Sequence, residues 1–164
     1  MGVSQEHRAV ESPVLRLVPF TVEGQRYGLS LEAVERVFPM VAISPLPKAP
    51  AVALGVINIH GEVIAVVDIR LRFGLPARQY GPAEYLLVAR TSRRKIAIPV
   101  EEVLGMEDVP AESVTSSDSL LPGIGYVAGI VKLHDGLLFI HDLETFLSLD
   151  EEQRLSESIE GVRG

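Results

Sequence analysis

Apolar and polar positions alternate along this chain in short bursts rather than in long helical stripes. Val14 to Val22 carries apolar side chains on alternate positions, Glu23 and Gly24 spell a turn, and Arg26 to Leu29 resumes the alternation, which predicts a hairpin. Ser30 is placed to cap a short helix over LEAVERVF, with Leu31, Val34 and Val37 or Phe38 on one face; the stretch also fits a helical turn between strands. Pro39, Pro45, Pro47 and Pro50 exclude a regular helix from the loop beyond it. Val52 to Ile59 and Val63 to Val67 form the next predicted hairpin, turning across His60, Gly61 and Glu62. Asp68 then stands where it can N-cap a short helix, IRLRFG, that Gly74 and Pro76 end.

From Ala83 the same order returns. EYLLVAR reads as a strand, TSRR as a turn and KIAIPV as the returning strand, followed by the short acidic-topped segment EEVLGM and a loop rich in Ser and Pro. The hairpin GIVKLHDGLLFI and an Asp142 cap on LETFL complete the unit. Sliding GVINIHGEVIAVVDIRLRFGL onto GIVKLHDGLLFIHDLETFLSL superposes Gly55 on Gly129, His60 on His134 and Asp68 on Asp142; YGLSLEAVERV aligns with IAIPVEEVLGM. A whole unit is therefore duplicated. Many short strands at this spacing predict a mainly β protein made of two small sandwiches or barrels in tandem. The first unit is placed at about 14–82 and the second at about 83–149, after a polar, aperiodic tail over 1–13 that is expected to be disordered. Over 150–164 a C-terminal helix or tail is expected: Ser148 and Glu151 spell a capping box, and Leu155 and Ile159 form a thin apolar stripe that must dock or fray.

Composition narrows the classes that remain. The 164 residues are 47% hydrophobic but only 5% aromatic, a globular balance long enough to bury a core without staples. There is no cysteine, which removes disulfides and thiolate chemistry. A net charge of −7 argues against tracking nucleic-acid phosphates. No apolar run approaches the roughly 20 residues of a membrane span, and the first residues lack a signal-peptide core, so a soluble cytoplasmic protein is expected.

The candidate chemistry is thin. His60, His134, His141 and Asp142 are of metal-ligand type, yet no HxH or HxxxH spacing gathers them, and hairpin-tip imidazoles usually meet solvent or a partner. Asp68 and Asp142 read as caps because every copy of a repeat needs its cap while an active site rarely comes twice. GIGYVAG, starting at Gly123, has the wrong spacing for a dinucleotide loop and precedes strand pattern instead of a helix. Arg93, Arg94 and Lys95 read as a solvated turn, Pro47 to Pro50 as a loop against the barrel, and Glu101 and Glu102 as the dipole-favoured start of a helical turn. No catalytic residue, metal ligand or cofactor site is assigned. Surfaces for protein–protein interaction are what such a chain has to offer. The competing readings are a small metal-assisted hydrolase built on the histidines and a stand-alone β module sensing a small apolar ligand between the barrels.

The residues also carry a resemblance. The order YGLSLEAVERV, Pro-rich loop, GVINIHGEVIAVVDIRLRFGL, EYLLVA resembles the CheW family of chemotaxis coupling proteins over about Leu15 to Leu149. Ala65 stands where that family has Pro, His60 where it commonly has Arg, and Arg36 where an acid is frequent. The resemblance implies two SH3-like five-stranded barrels and a non-enzymatic adaptor bridging chemoreceptor tips to the regulatory domain of a CheA-type histidine kinase. It implies receptor-facing roles for Val34, Arg36, Gly55, Asn58, His60 and Gly61, and kinase-facing roles for Tyr85 and Leu86. It implies, further, that the receptor tip docks in a groove between the barrels, and a His60 lying in that groove would make receptor affinity vary between about pH 5.5 and 7.5, the interval around an ordinary imidazole pKa.

Overall fold

The computed structural model describes residues 13–76, 78–116 and 127–163. Its strands run β1 (Val14–Val22), β2 (Gln25–Ser30), β3 (Val34–Pro39), β4 (Ala53–Ile59), β5 (Glu62–Val67), β6 (Tyr85–Arg90) and β7 (Lys95–Val100). β8 (Glu102–Val103), β9 (Glu107–Pro110), β10 (Val114–Ser116), β11 (Val127–Leu133) and β12 (Gly136–His141) follow. One sheet has the order β3-β6-β7-β5-β4; the other runs β10-β11-β12-β2-β1-β8, with β9 also on β1.

These two sheets are the expected barrels, but the strands are exchanged between the repeats. The hairpin β1–β2 leaves the first repeat and joins the second sheet through a parallel pairing of β2 with β12. Reciprocally, β6–β7 leaves the second repeat and joins the first sheet through β7 beside β5. A boundary near residue 82 therefore marks the sequence repeat, while each sheet draws strands from both sides of it. The second sheet contains seven named segments. It still matches its five-stranded twin, because β8, β9 and β10 together play the part that β3 and the Ser44–Val56 bridge play in the first.

The repeated glycines are explained at that crossing. Each sheet closes where its bent strand passes over the bulged start of a hairpin, and the register shifts at Gly55 and at Gly129. A Cβ on Gly55, whose φ is +153°, would lie 2.2 Å from the Ser44 carbonyl oxygen; one on Gly129 would lie 2.5 Å from Val114 Cγ1. No larger residue fits either position without displacing the crossing segment.

Two sequence expectations change. Of the two readings of LEAVERVF the short capped helix fails and the helical turn between strands holds: one 3-10 turn, Leu31–Ala33, is followed by β3, and the Ser30 side chain makes no cap bond. The β-branched and aromatic run Val34, Val37, Phe38 gains more from pairing with β6 than an eight-residue helix gains alone. The helical turn expected at Glu101 and Glu102 is the strand β8, and Glu101 instead accepts hydrogen bonds from Glu23 N–H (3.0 Å) and Gly24 N–H (3.3 Å) across the first hairpin turn. Both capping aspartates do cap: Asp68 accepts from Arg70 N–H at 3.0 Å and Asp142 from Glu144 N–H at 3.1 Å. GIGYVAG falls largely, and the disordered-tail expectation almost wholly, on residues outside those described.

The main core lies between the sheets, around Phe20, Leu29, Val67, Leu87, Ile98 and Phe146. The C-terminal helix, Leu149–Arg163, seals it with Leu155 and Ile159. Its capping box is closed in both directions, Glu151 N–H to Ser148 Oγ and Ser148 N–H to the Glu151 carboxylate. Arg72 pairs with Glu151, and Arg94 holds Glu152 at 2.6 Å. The PxxP loop lies inward as expected, burying Leu46, Pro50 and Val52. Each sheet also encloses a smaller cluster of its own, around Leu86 and Val88 in the first and Leu17 and Val131 in the second.

Candidate interaction site

The hairpin β4–β5 turns through two residues with positive φ, His60 (52°) and Gly61 (85°), the backbone of a type I′ turn. Asn58 fixes it by accepting a hydrogen bond from Gly61 N–H at 2.9 Å. The turn is thus rigid and carries His60 outward beside β3. On β3 the register shifts between Val34 and Arg36, a bulge that sets the direction of the Glu35 and Arg36 side chains.

A pocket of about 180 Å³ opens there at the end of the first barrel. Phe38, Ile59, Ile64 and Val88 form its apolar floor, and Glu35, Arg36, His60, Glu62 and Lys95 its polar rim. Lys95 bridges Glu35 and Glu62, each at 3.2 Å. The Lys95 ammonium is held above its ordinary pKa, first by the hydrogen bond to Glu35 and then by that to Glu62. Lys95 is therefore a rim residue rather than part of a solvated turn, and Arg94 is a helix anchor.

The residues singled out by resemblance separate in space. Arg36 and His60 share the rim, and Asn58 and Gly61 build the turn that presents one of them. Gly55 is buried at the far end of β4, where its role in the crossing accounts for it fully. Val34 packs against the main core. Tyr85 is 38% exposed at the start of β6, facing Pro39 and Val100 across the ladder. Leu86 is completely buried in the first barrel's own cluster, so its side chain is no contact surface. Sequence reasoning passed over Glu35, Glu62 and Lys95, which come from three strands and meet only after the exchange of hairpins.

The three described histidines do not meet. His60 is on the pocket rim and His134 is at the tip of the β11–β12 hairpin. His141 is buried between Phe73 and Phe146, at ring distances of 5.9 and 5.2 Å. Among the described residues no three His, Asp or Glu side chains gather closely enough to hold a metal ion. The hydrolase reading lacks the convergence it requires. A second polar cluster is structural in kind. Buried Arg70 pairs with Glu23 and donates from Nε and Nη2 to the Pro76 carbonyl at 3.0 and 2.8 Å. Tyr80 donates to Asp68 at 2.9 Å, and burial, then the Asp68 charge, pushes its phenol well above the ordinary value. This cluster ties the β1–β2 turn of one sheet to the connection leaving the other.

The family model for the CheW-like domain matches residues 16–151. The chemotaxis protein CheW of Treponema pallidum is 27% identical over 165 residues, covering 94% of this chain and 97% of that protein. The protein FrzA of Myxococcus xanthus is 29% identical over 106 residues, 65% of this chain and 63% of that one. The crystal structure of the scaffolding protein TtCheW from Thermoanaerobacter tengcongensis has the same fold, with a TM-score of 0.74 at 24% identity over 85% of this chain and 96% of that one. A match that runs from β1 into the C-terminal helix, with both exchanged hairpins inside it, makes this chain a member of the CheW-like domain family.

Proposed function

We propose that this chain is a non-enzymatic coupling adaptor of a chemotaxis or chemosensory-like pathway. It holds the cytoplasmic tip of a chemoreceptor and the regulatory domain of a CheA-type histidine kinase in one assembly. The observation that carries this reading is the CheW-like match over 16–151, nearly all of the described chain. The receptor is assigned to the end of the first barrel, where Arg36 and His60 flank the β4–β5 turn that Asn58 and Gly61 hold rigid. The kinase is assigned to the β6 end of the same sheet around Tyr85, with Leu86 supporting that strand from within. No cofactor is required, because an adaptor acts through binding free energy alone. No described helix is long and apolar enough to cross a membrane, and the adaptor is assigned to the cytoplasm, recruited to receptor arrays.

The test is titration calorimetry of the purified chain against the regulatory domain of a CheA-type kinase and, separately, against a receptor's cytoplasmic hairpin tip. Dissociation constants on the order of 1–10 µM are expected for such transient contacts. Absence of binding to either partner at about 50 µM, a concentration well above that range, would refute the reading.

A further inference from the structure

The duplicated fold supplies an internal comparison for the pocket. A second pocket, of about 220 Å³, opens at the same place on the second barrel, and its residues correspond one for one. Pro19 takes the place of Val88, Arg26 of Lys95 and Leu104 of Glu35; Glu107 takes the place of Phe38, Leu133 of Ile59 and Leu138 of Ile64. What the two pockets share belongs to the fold. A basic residue at the start of a returning strand pairs with an acid at the neighbouring hairpin in both: Lys95 with Glu62, and Arg26 with Asp135 at 2.6 Å. What they do not share is free of that duty. The position of Arg36 is occupied in the twin by Gly105, so the barrel closes with no side chain there.

Arg36 is also the one guanidinium or ammonium at this rim without a carboxylate partner among the described residues. Lys95 is bridged by two, and Arg90, next to the rim, reaches Glu35 at 3.9 Å. It is exposed, and it flanks an apolar floor of a size that takes one side chain. Resting on the adaptor reading above, we propose that Arg36 selects the receptor. The first-barrel pocket takes an apolar anchor side chain from the receptor tip, and Arg36 pairs with a carboxylate beside that anchor. The partner is thus an acidic-plus-apolar helical tip, and a tip with a basic residue at that place is rejected by like-charge repulsion.

The experiment uses the full chain and the cytoplasmic hairpin tip of a methyl-accepting receptor from the same organism, in wild-type form and with each acidic tip residue changed singly to Lys. Arg36→Glu is expected to weaken tip binding by about tenfold or more at low salt, and Arg36→Lys by much less, since a point charge keeps attraction but loses the fork. One acid-to-Lys tip is expected to recover affinity for Arg36→Glu, while binding of the kinase regulatory domain stays unchanged. Tip binding by Arg36→Glu within about twofold of wild type, or an equal loss in 1 M salt, where exposed pairs are screened, overturns the proposal and leaves the adaptor reading standing. An equal loss of kinase binding also overturns it. Failure of the wild-type chain to bind any tip removes the receptor half of the adaptor reading, and this proposal with it.

Discussion

At the scale of single residues, the least expected group is His141. Its ring is 4% exposed, and neither nitrogen has a hydrogen-bond partner among the described residues. Burial alone pushes its pKa down from 6.5 to about 4. A base whose folded pKa is depressed stabilises the fold fully above its unfolded value and loses that contribution as pH falls. The native state should therefore weaken between pH 6.5 and about 4, by about 3 kcal/mol from this group at the low end. Urea denaturation at a series of pH values should show that decline, and His141→Leu should flatten it while keeping the core closed. An unaltered slope in His141→Leu would mean that some other group is the one titrating. The sequence placed His141 beside Asp142 and invited a chemical reading. Only the packing of Phe73 and Phe146 on either side reveals an imidazole used as a core side chain.

Elements were legible wherever local chemistry decides them. The hairpins and both aspartate caps are encoded within a few residues of where they form, as is the capping box of the last helix. The misreadings fall where a partner strand decides: LEAVERVF and EEVLGM carry weak helical periodicity, but each sits beside an exchanged hairpin that offers a ladder. The last helix is the reverse case. Its apolar stripe is too thin to predict docking, yet Leu155 is fully buried, and two cationic side chains from the first sheet's connections grip its first turn. Leu155→Ala should cost about 2–5 kcal/mol, the range for emptying a buried leucine site. Exposed Leu149, a helical turn and a half away and 70% accessible, should cost under about 0.5 kcal/mol when changed to Ala. Chemical denaturation of the two variants compares them directly, and equal losses would place the helix off the core.

For the whole molecule, the repeat was readable and the exchange was not. Alignment of Gly55 with Gly129 and Asp68 with Asp142 shows that a unit recurs. It does not show which hairpin each unit keeps, because the exchanged and unexchanged pairings bury the same alternate positions. The site suffers the same ambiguity: Glu35, Glu62 and Lys95 lie on β3, β5 and β7, and no spacing in the sequence joins them. The exchange has a consequence for folding. Phe20, Tyr27 and Leu29 on the first hairpin and Ile96 and Ile98 on the third share one core cluster built from both sides of residue 82, and each of these hairpins is paired into the sheet of the other repeat. A cut in the connection between Pro82 and Ala83 should thus yield two fragments, 1–82 and 83–164, neither of which folds cooperatively as a monomer. Mixed in equal amounts, they should reassemble into a species with the native circular dichroism spectrum and a single unfolding transition, since the parallel β2–β12 and β5–β7 pairings require both. A fragment 1–82 that alone elutes as a monomer and melts cooperatively would show that its hairpin can close on its own repeat, and the interlocked arrangement would then not be what holds the two barrels together.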